Sequence, residues 1–348
     1  VEHCTGPSDA MTDHRWTRLA RVAAWGSAAA MIAAWATVSL LGDRVWWSLP
    51  FLFGPRWVAG VLFIGLLPAL RLARPTALRN GALMMCVFLI GLLDVRVGLG
   101  RFEPGGTAVL RIMELNAGAG SSGGPKAETI VAAIEQARPD VVVVAECSGR
   151  LLEAIEAMGG WHAHRSSSSL CLASRHAVLR WEERDPMDFW KENGSGAIAR
   201  ATLNTPAGAV RVGLVHLETP RDALDHFPDL SSIPTLGNIT RQNTAQRERE
   251  ARVAREWIFS GGDFPTIVAG DFNLPIESAI YRRHWSDLRN SFSRSGVGFG
   301  NTKQTRRWGI RIDHILTTDD FATRWARIGQ DVGSDHLPLL AELTLSPR

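Results

Sequence analysis

The 348-residue sequence predicts an α/β sandwich preceded by membrane-crossing helices. Three observations lead there. Residues 22–41 form an uncharged run of 20 residues, about the length needed to cross a hydrocarbon core of roughly 30 Å. Further on, apolar runs end abruptly in an acid or an amide, as in VVVVAE at 141–146 and TIVAGDFN at 266–273, the pattern of buried strands with polar groups at a sheet edge. Between them, short strand-like segments follow one another through turns such as TPAG at 205–208, which implies hairpins and a mixed sheet rather than a run of βα units.

Residues 1–10 carry no pattern, and Met11 is a candidate start. A signal peptide would need a shorter apolar region and a small-residue cleavage site, and neither is evident at 22–41. Residues 1–101 are therefore read as a membrane region with spans near 20–42, 46–70 and 80–98. Arg56 interrupts the second span, and Asp94 and Arg96 fall in the third. Helices of a soluble core, or interfacial hairpins, are the alternative for these last two. Trp46, Trp47 and Trp57 suit a membrane interface. Arg15, Arg18 and Arg21 precede the first span, and Arg71, Arg74 and Arg79 separate the second from the third. That bias favours a cytoplasmic amino terminus, and an odd number of spans then puts the rest of the chain outside. Residues 102–106 read as a linker and 107–348 as the large domain.

The charge is unevenly spread. Residues 1–101 hold 10 Lys or Arg against 5 Asp or Glu, whereas 102–348 hold 28 against 30, a balance of about −2. A nonspecific nucleic-acid binder would carry a basic excess there, so any such role needs a local patch. The four cysteines form no C-x-x-C pair, which excludes a zinc knuckle. Cys147 and Cys171 are expected to be free buried thiols rather than a disulfide.

In the large domain, residues 109–115 read as a strand followed by Asn116. GAGSSG at 118–123 and a helix at 126–137 lead to the strand that ends at Glu146. That order fits a dinucleotide-binding unit, so Gly118–Gly123 is an open alternative. Strands at 168–174, 197–203 and 210–217 follow, the last carrying His216. Residues 222–238 read as a long loop suited to substrate selection. Residues 241–259 read as a helix with Ala245, Val253, Trp257 and Ile258 inward and its Arg and Glu residues solvated. TIVAGDFN then offers Asp271 and Asn273 on one strand face, a carboxylate to deprotonate water and an amide to donate to a phosphate oxygen. NTKQTRRWGIR at 301–311 is the one basic cluster with an aromatic, and Lys303, Arg306, Arg307 and Arg311 are its candidate substrate contacts. A strand carrying Asp313, the sequence GSDH at 333–336 and a final strand at 337–345 complete the chain.

LNA at 115–117, PDVVVVAE at 139–146, VHL at 215–217, GDFN at 270–273, RIDHIL at 311–316 and SDH at 334–336, in that order, resemble the endonuclease/exonuclease/phosphatase superfamily. The resemblance implies a four-layer α/β sandwich of two packed sheets flanked by helices. It implies a phosphate-ester hydrolase using Mg²⁺, with Mn²⁺ as a substitute, and assigns roles by position. Glu146 resembles the principal metal carboxylate, with Asn116 and Asp335 beside it. Asp271 resembles the residue that activates water, Asn273 a phosphate ligand, and His336 the phosphate-contacting His oriented by Asp313. His216 matches a position that helps protonate the leaving oxygen. Ala145 departs from the family's common Gln before the metal Glu. The expected activity is hydrolysis of a phosphodiester in nucleic acid, phospholipid or a small molecule, by a multi-pass protein in contact with the bilayer whose large domain is extracytoplasmic. No feature points to a protein partner. A phosphate-binding module without catalysis is the competing function.

Overall fold

A computed structural model describes residues 7–103, 108–118, 126–227 and 233–345, with Gly106 and Asp229. Residues 119–125, which include most of the glycine-rich loop, and the centre of the 102–106 linker lie outside the described residues.

Twelve strands build two six-stranded sheets. They are β1 (Ala108–Asn116), β2 (Val141–Ala145), β3 (His162–Arg165), β4 (Cys171–Ser174), β5 (Ala177–Glu183), β6 (Ala197–Thr205), β7 (Gly208–His216), β8 (Thr266–Asp271), β9 (Arg289–Asn290), β10 (Asp313–Thr317), β11 (Phe321–Ile328) and β12 (Leu339–Leu345). The first sheet runs β11-β12-β1-β2-β4-β3 and the second β9-β10-β8-β7-β6-β5. Each has one parallel pair at its centre, β1/β2 and β7/β8, and is antiparallel elsewhere. A dinucleotide-binding sheet needs a succession of parallel strands. The expected βαβ unit is present at β1/β2, but β4 and β12 flank it antiparallel, so that alternative lacks its scaffold.

The two sheets face one another through Ile112, Val143, Ala145, Leu172, Ala199, Val212, Leu214, Ile267 and Ile315. The outer face of the first packs on helices Ala127–Ala137 and Gly149–Ala157, through Ile130, Ile134, Leu151 and Ile155. The outer face of the second packs on helices Ile233–Ile258 and Ala279–His284. This is the four-layer sandwich. Because β2 is covered on both sides, its five residues are all buried, which explains its unbroken apolar run.

Two sequence expectations fail here for one reason. Helix Ile233–Ile258 starts within the expected 222–238 loop, with Pro234 in its first turn, where no backbone N–H is needed. Its inward face is Arg247, Glu250, Ala251, Ala254 and Ile258, spaced three or four apart, while Ala245 is exposed. The inward stripe thus becomes charged in its middle, so the pattern resembles a solvated face.

The expectation of free thiols at Cys147 and Cys171 is also overturned: the two are bonded, with Cα atoms 5.8 Å apart. Cys171 sits beside Val144 across the antiparallel β2/β4 pair, and the chain after β2 turns back over it, bringing partners 24 residues apart together.

At the amino-terminal end, His14–Leu41 and Arg74–Leu92 are long and apolar enough to cross a membrane. The expected 46–70 span is not one helix: Trp46–Phe53 meets Arg56–Leu72 at an 87° bend. Pro55 disfavours helix at Gly54, where an added Cβ would lie 2.2 Å from the Pro50 carbonyl oxygen. The third helix stops at Leu92, so Asp94 escapes it and pairs with Arg96 and Arg311. Asp43, between the first two helices, accepts hydrogen bonds from Ser278 Oγ (2.6 Å) and Ala279 N (2.8 Å), and Arg56 pairs with Glu277 at 2.7 Å. These contacts fix the helices against the sandwich edge that bears the polar strand ends.

Candidate functional site

In a parallel strand pair both carboxyl ends lie at the same edge, and the two central pairs put four such ends together. β1 ends in Asn116, β2 is followed by Glu146, β7 ends in His216 and β8 in Asp271. His216 and Asp271 are in register, and Asp313, the first residue of β10, is in register with Asp271 on its other side. Gly270 makes this edge possible: at φ +146° it brings the backbone so close to β7 that a Cβ would lie 1.9 Å from the Val215 carbonyl oxygen.

Asp271 is buried and pinned at both oxygens. Oδ1 accepts from the Asn273 backbone N–H at 2.8 Å, and Oδ2 from Asn116 Nδ2 at 3.1 Å. Asn116 Nδ2 also approaches Glu146 Oε1 at 3.1 Å, so one amide ties the two carboxylates. His216 Nε2 lies 3.9 Å from each of them. Glu146 (φ +50°) and Asn273 (φ +51°) both hold left-handed backbone, a conformation that costs a non-glycine residue and persists where surrounding contacts impose it. The Asn273 amide donates to the Leu217 carbonyl at 2.7 Å, locking the turn after β8 to the end of β7.

His336 reaches the same edge from the loop before β12. Ser334 Oγ donates to the Asn116 carbonyl and accepts from the His336 backbone N–H. His336 Nδ1 lies 2.9 Å from Asp313 Oδ2, and its Nε2 lies 3.7 Å from Asp271 Oδ2. Burial alone would depress its pKa, but the carboxylates of Asp313 and then Asp271 overcome this and raise it to about 9. That shift favours the charged ring, with Nδ1–H on Asp313 and Nε2 left facing the pocket edge near Asp271. Asp271 is raised above the usual carboxylate range, by burial first and by Asp313 second, which strengthens it as a base. Asp271, Asp313 and His336 offer ligand atoms within 4.8 Å of one another, a spacing that fits one metal ion.

The remaining sequence-predicted residues divide. Lys303 and Asp335 form an ion pair at the rim, and Lys303 lines the same pocket as Asn116, Glu146, His216, Asp271, Asn273 and His336. Arg306 and Arg307 are exposed and outside that lining. Arg311 is not brought to it either, being buried against Asp94, Ser293 and the Phe292 ring.

Sequence reasoning missed Glu114, Arg247 and the linked pair Glu250 and Glu218. Glu114, two residues before Asn116 and on the same face of β1, is fully buried, and neither of its oxygens has a hydrogen-bond partner among the described residues. Burial, then the nearby Asp313 and Asp271, hold its carboxyl well above the ordinary range. Glu250 accepts from the backbone N–H groups of Gly196 and Glu218, while Glu218 accepts from Ser195 at the pocket wall. Arg247 donates to the Asn273 carbonyl at 3.1 Å. The only sequence signal for Arg247 and Glu250 is their spacing with Ala251, Ala254 and Ile258.

A family model described as the Endonuclease/Exonuclease/phosphatase family matches residues 113–336. No curated protein matches the sequence. Among solved structures, the chain is similar to an endonuclease/exonuclease/phosphatase from Beutenbergia cavernae, with 18% identity over 69% of this chain and 72% of that one and a TM-score of 0.51. It is similar to a humanized D. rerio TDP2, with 15% identity, 68% and 99% coverage and a TM-score of 0.52. A family protein from Bacteroides thetaiotaomicron follows, at 14% identity, 68% and 95% coverage and a TM-score of 0.51. At these identities the likeness is one of fold.

Proposed function

The chain belongs to the endonuclease/exonuclease/phosphatase family of phosphate-ester hydrolases, and from that premise we propose a membrane-anchored, Mg²⁺-dependent phosphodiesterase. The observation that carries this reading is the convergence of Asn116, Glu146, His216, Asp271 and His336 on one pocket, with His336 held by the Asp313 carboxylate.

Glu146 and Asn116 would hold the cation. The donor set fits: Glu146 is partly open to the pocket on its left-handed backbone, and few carboxylates with room for water suit Mg²⁺ or Mn²⁺. The neighbouring Asp271, Asp313 and His336 cluster is better assigned to proton handling, since the Asp313 carboxylate is engaged by His336 Nδ1 and both Asp271 oxygens by Asn273 N–H and Asn116 Nδ2. When bound, the cation supplies charge neutralisation on a phosphoryl oxygen.

Asp271 takes a proton from water, held in orientation by Asn273 N–H and Asn116 Nδ2, and the water oxygen bonds to phosphorus. The His336 imidazolium meets the charge that builds on the phosphoryl oxygens. The P–O bond to the leaving alcohol breaks as His216, when it carries a proton, passes that proton to the departing oxygen. A diester and water become an alcohol and a monoester, and solvent exchange resets the two side chains.

In this reading residues 1–101 are the anchor, 102–106 the linker and 107–348 the catalytic unit. An extracytoplasmic catalytic unit is supported by the Cys147–Cys171 bond, since disulfides persist in oxidising compartments. Turnover of bis(p-nitrophenyl) phosphate with Mg²⁺ tests the chemistry. Asp271→Asn and His336→Gln should each lower kcat by roughly 10²–10⁴. Hydrolysis that persists in EDTA, or in both variants, would sink the mechanism.

A further inference from the structure

The pocket that contains Glu146, Asp271 and His336 has a volume of about 610 Å³ and two unlike walls. One is the polar strand edge. The other is apolar and is built partly by the amino-terminal helices: Pro50 and Phe53 stand there with Leu224, Phe227 and Ile310 of the sandwich. All but Pro50 belong to one apolar cluster, because Phe53 is in the core of the amino-terminal helices, Leu224, Phe227 and Ile310 pack on it, and the Trp46 and Phe227 rings lie 6.2 Å apart. Trp308, also in the lining, donates its indole N–H to the Phe53 carbonyl at 3.1 Å, tying the basic loop to the helix break.

Past the bend, which Gly54 and Pro55 of the pocket lining form, the helix beginning at Arg56 exposes Trp57, Val58, Val61 and Ile64, so apolar side chains face outward on the next turns of a segment read as membrane-crossing. The polar end has Arg221 at its lining, suited to an anionic head, beside the Lys303–Asp335 ion pair at the rim. A water-soluble diester gains little from the wall made by Phe53, Leu224 and Phe227. An amphiphile gains from every methylene placed on it.

We infer that the substrate is a phosphodiester carried on a membrane amphiphile, drawn laterally from the bilayer so that its hydrocarbon lies along Phe53, Leu224 and Phe227 and its phosphorus meets Asp271 and His336. This inference rests on the phosphodiesterase reading of the same pocket and adds the substrate class. The recognised chemistry is an anionic diester joined to a long apolar chain, which a diacyl phospholipid or a polyprenyl phosphodiester would both provide.

The test uses the full chain in mixed micelles with Mg²⁺ and three substrates: dioleoylphosphatidylglycerol, a polyprenyl phosphodiester, and bis(p-nitrophenyl) phosphate. At least one lipid arm should exceed the soluble diester in kcat/KM by tenfold or more, and the arm that does identifies the lipid. The Phe53→Ser/Phe227→Ser variant should cut the lipid-to-soluble ratio by at least tenfold, and Phe53→Leu/Phe227→Leu should restore it, which separates loss of the wall from loss of folding. A soluble diester hydrolysed as well as both lipids, or a ratio that the serine variant leaves unmoved, overturns the lipid assignment. Absence of metal-dependent hydrolysis in all three arms overturns the phosphodiesterase reading itself.

Discussion

His336 Nδ1 lies 2.9 Å from Asp313 Oδ2, and Asp313 is in register with Asp271 on the neighbouring strand. The pair of aspartates raises the imidazole to about 9 against the depressing effect of burial. A raised His keeps its charge below that value and loses it as pH rises through about 9, so a phosphodiesterase relying on the imidazolium loses rate along that basic limb. Asp313→Asn removes the nearer carboxylate. We expect kcat to fall by roughly 10²–10³, the scale of one lost electrostatic participant, and the basic limb to move to lower pH. A kcat–pH profile checks both, and an unmoved limb would show that Asp313 does not set the charge of His336.

The site was legible because its residues sit where strands end, and an apolar run that stops at Glu146 or Asp271 is visible without coordinates. Registers were not, yet it is the His216–Asp271–Asp313 register that makes three separate motifs one edge. Arg247 and Glu250 were misread because a buried ion is locally indistinguishable from a solvated one: apart from Gln246, one turn before Glu250, their partners are Asp43, Asn273, Glu218 and Gly196, none nearer than 26 residues. Glu114 lies in the strand read at 109–115 and nothing local marks it; the packing of the second sheet over it removes its water. The bend at Gly54–Pro55 was written in plain residues, but 46–70 was read as one span interrupted only by Arg56.

His314, adjacent to Asp313, is buried against the Phe272 and Tyr281 rings. Its Nε2 donates to the Leu274 carbonyl at 2.8 Å and its Nδ1 accepts from Asn290 Nδ2 at 3.1 Å, an arrangement that only the neutral ring satisfies. Burial first, then Arg311, lowers its pKa from 6.5 to about 4. The unfolded chain takes up a proton as pH falls through 6.5 while the native ring refuses it until about 4. Stability is therefore complete above pH 6.5 and erodes between 6.5 and 4, by up to roughly 3 kcal/mol. His314→Gln should be less stable at pH 7 yet lose less between pH 7 and 4.5. Thermal midpoints of both proteins across that range decide it.

Asp43 and Arg247 are both buried, 3.7 Å apart, and the Arg247 guanidinium also faces the Phe53 ring at 5.1 Å. Arg247 Nε and Nη1 have no hydrogen-bond partner among the described residues, so the Asp43 carboxylate is the principal compensation for that charge. Asp43→Ala should destabilise the full chain by about 3–5 kcal/mol, the usual cost of stranding a buried charge. Arg247→Met in the same chain should return part of that loss, and a double-mutant cycle on thermal or denaturant unfolding measures the coupling. Simple additivity of the two changes would mean that the helices and the sandwich are held elsewhere, with Arg56–Glu277 as the next contact to test.

The Cys147–Cys171 bond lies directly after Glu146, and the Cys147 backbone N–H donates to the Ser169 carbonyl at 2.8 Å. Both anchors act on the residue that must hold φ +50° to present its carboxylate to the pocket. Closing a loop between residues 24 apart is worth roughly 3 kcal/mol through the unfolded chain, so Cys147→Ser/Cys171→Ser should lower the unfolding midpoint. If the bond also holds Glu146 in place, the variant should need several-fold more Mg²⁺ for half-maximal turnover, because a ligand released from a strained pose must be reordered by the cation. A Mg²⁺ titration at a temperature where both proteins are folded separates the two effects. A lower midpoint with an unchanged Mg²⁺ requirement would mean that the β2 strand end and the Asn116 amide hold Glu146 without the bond.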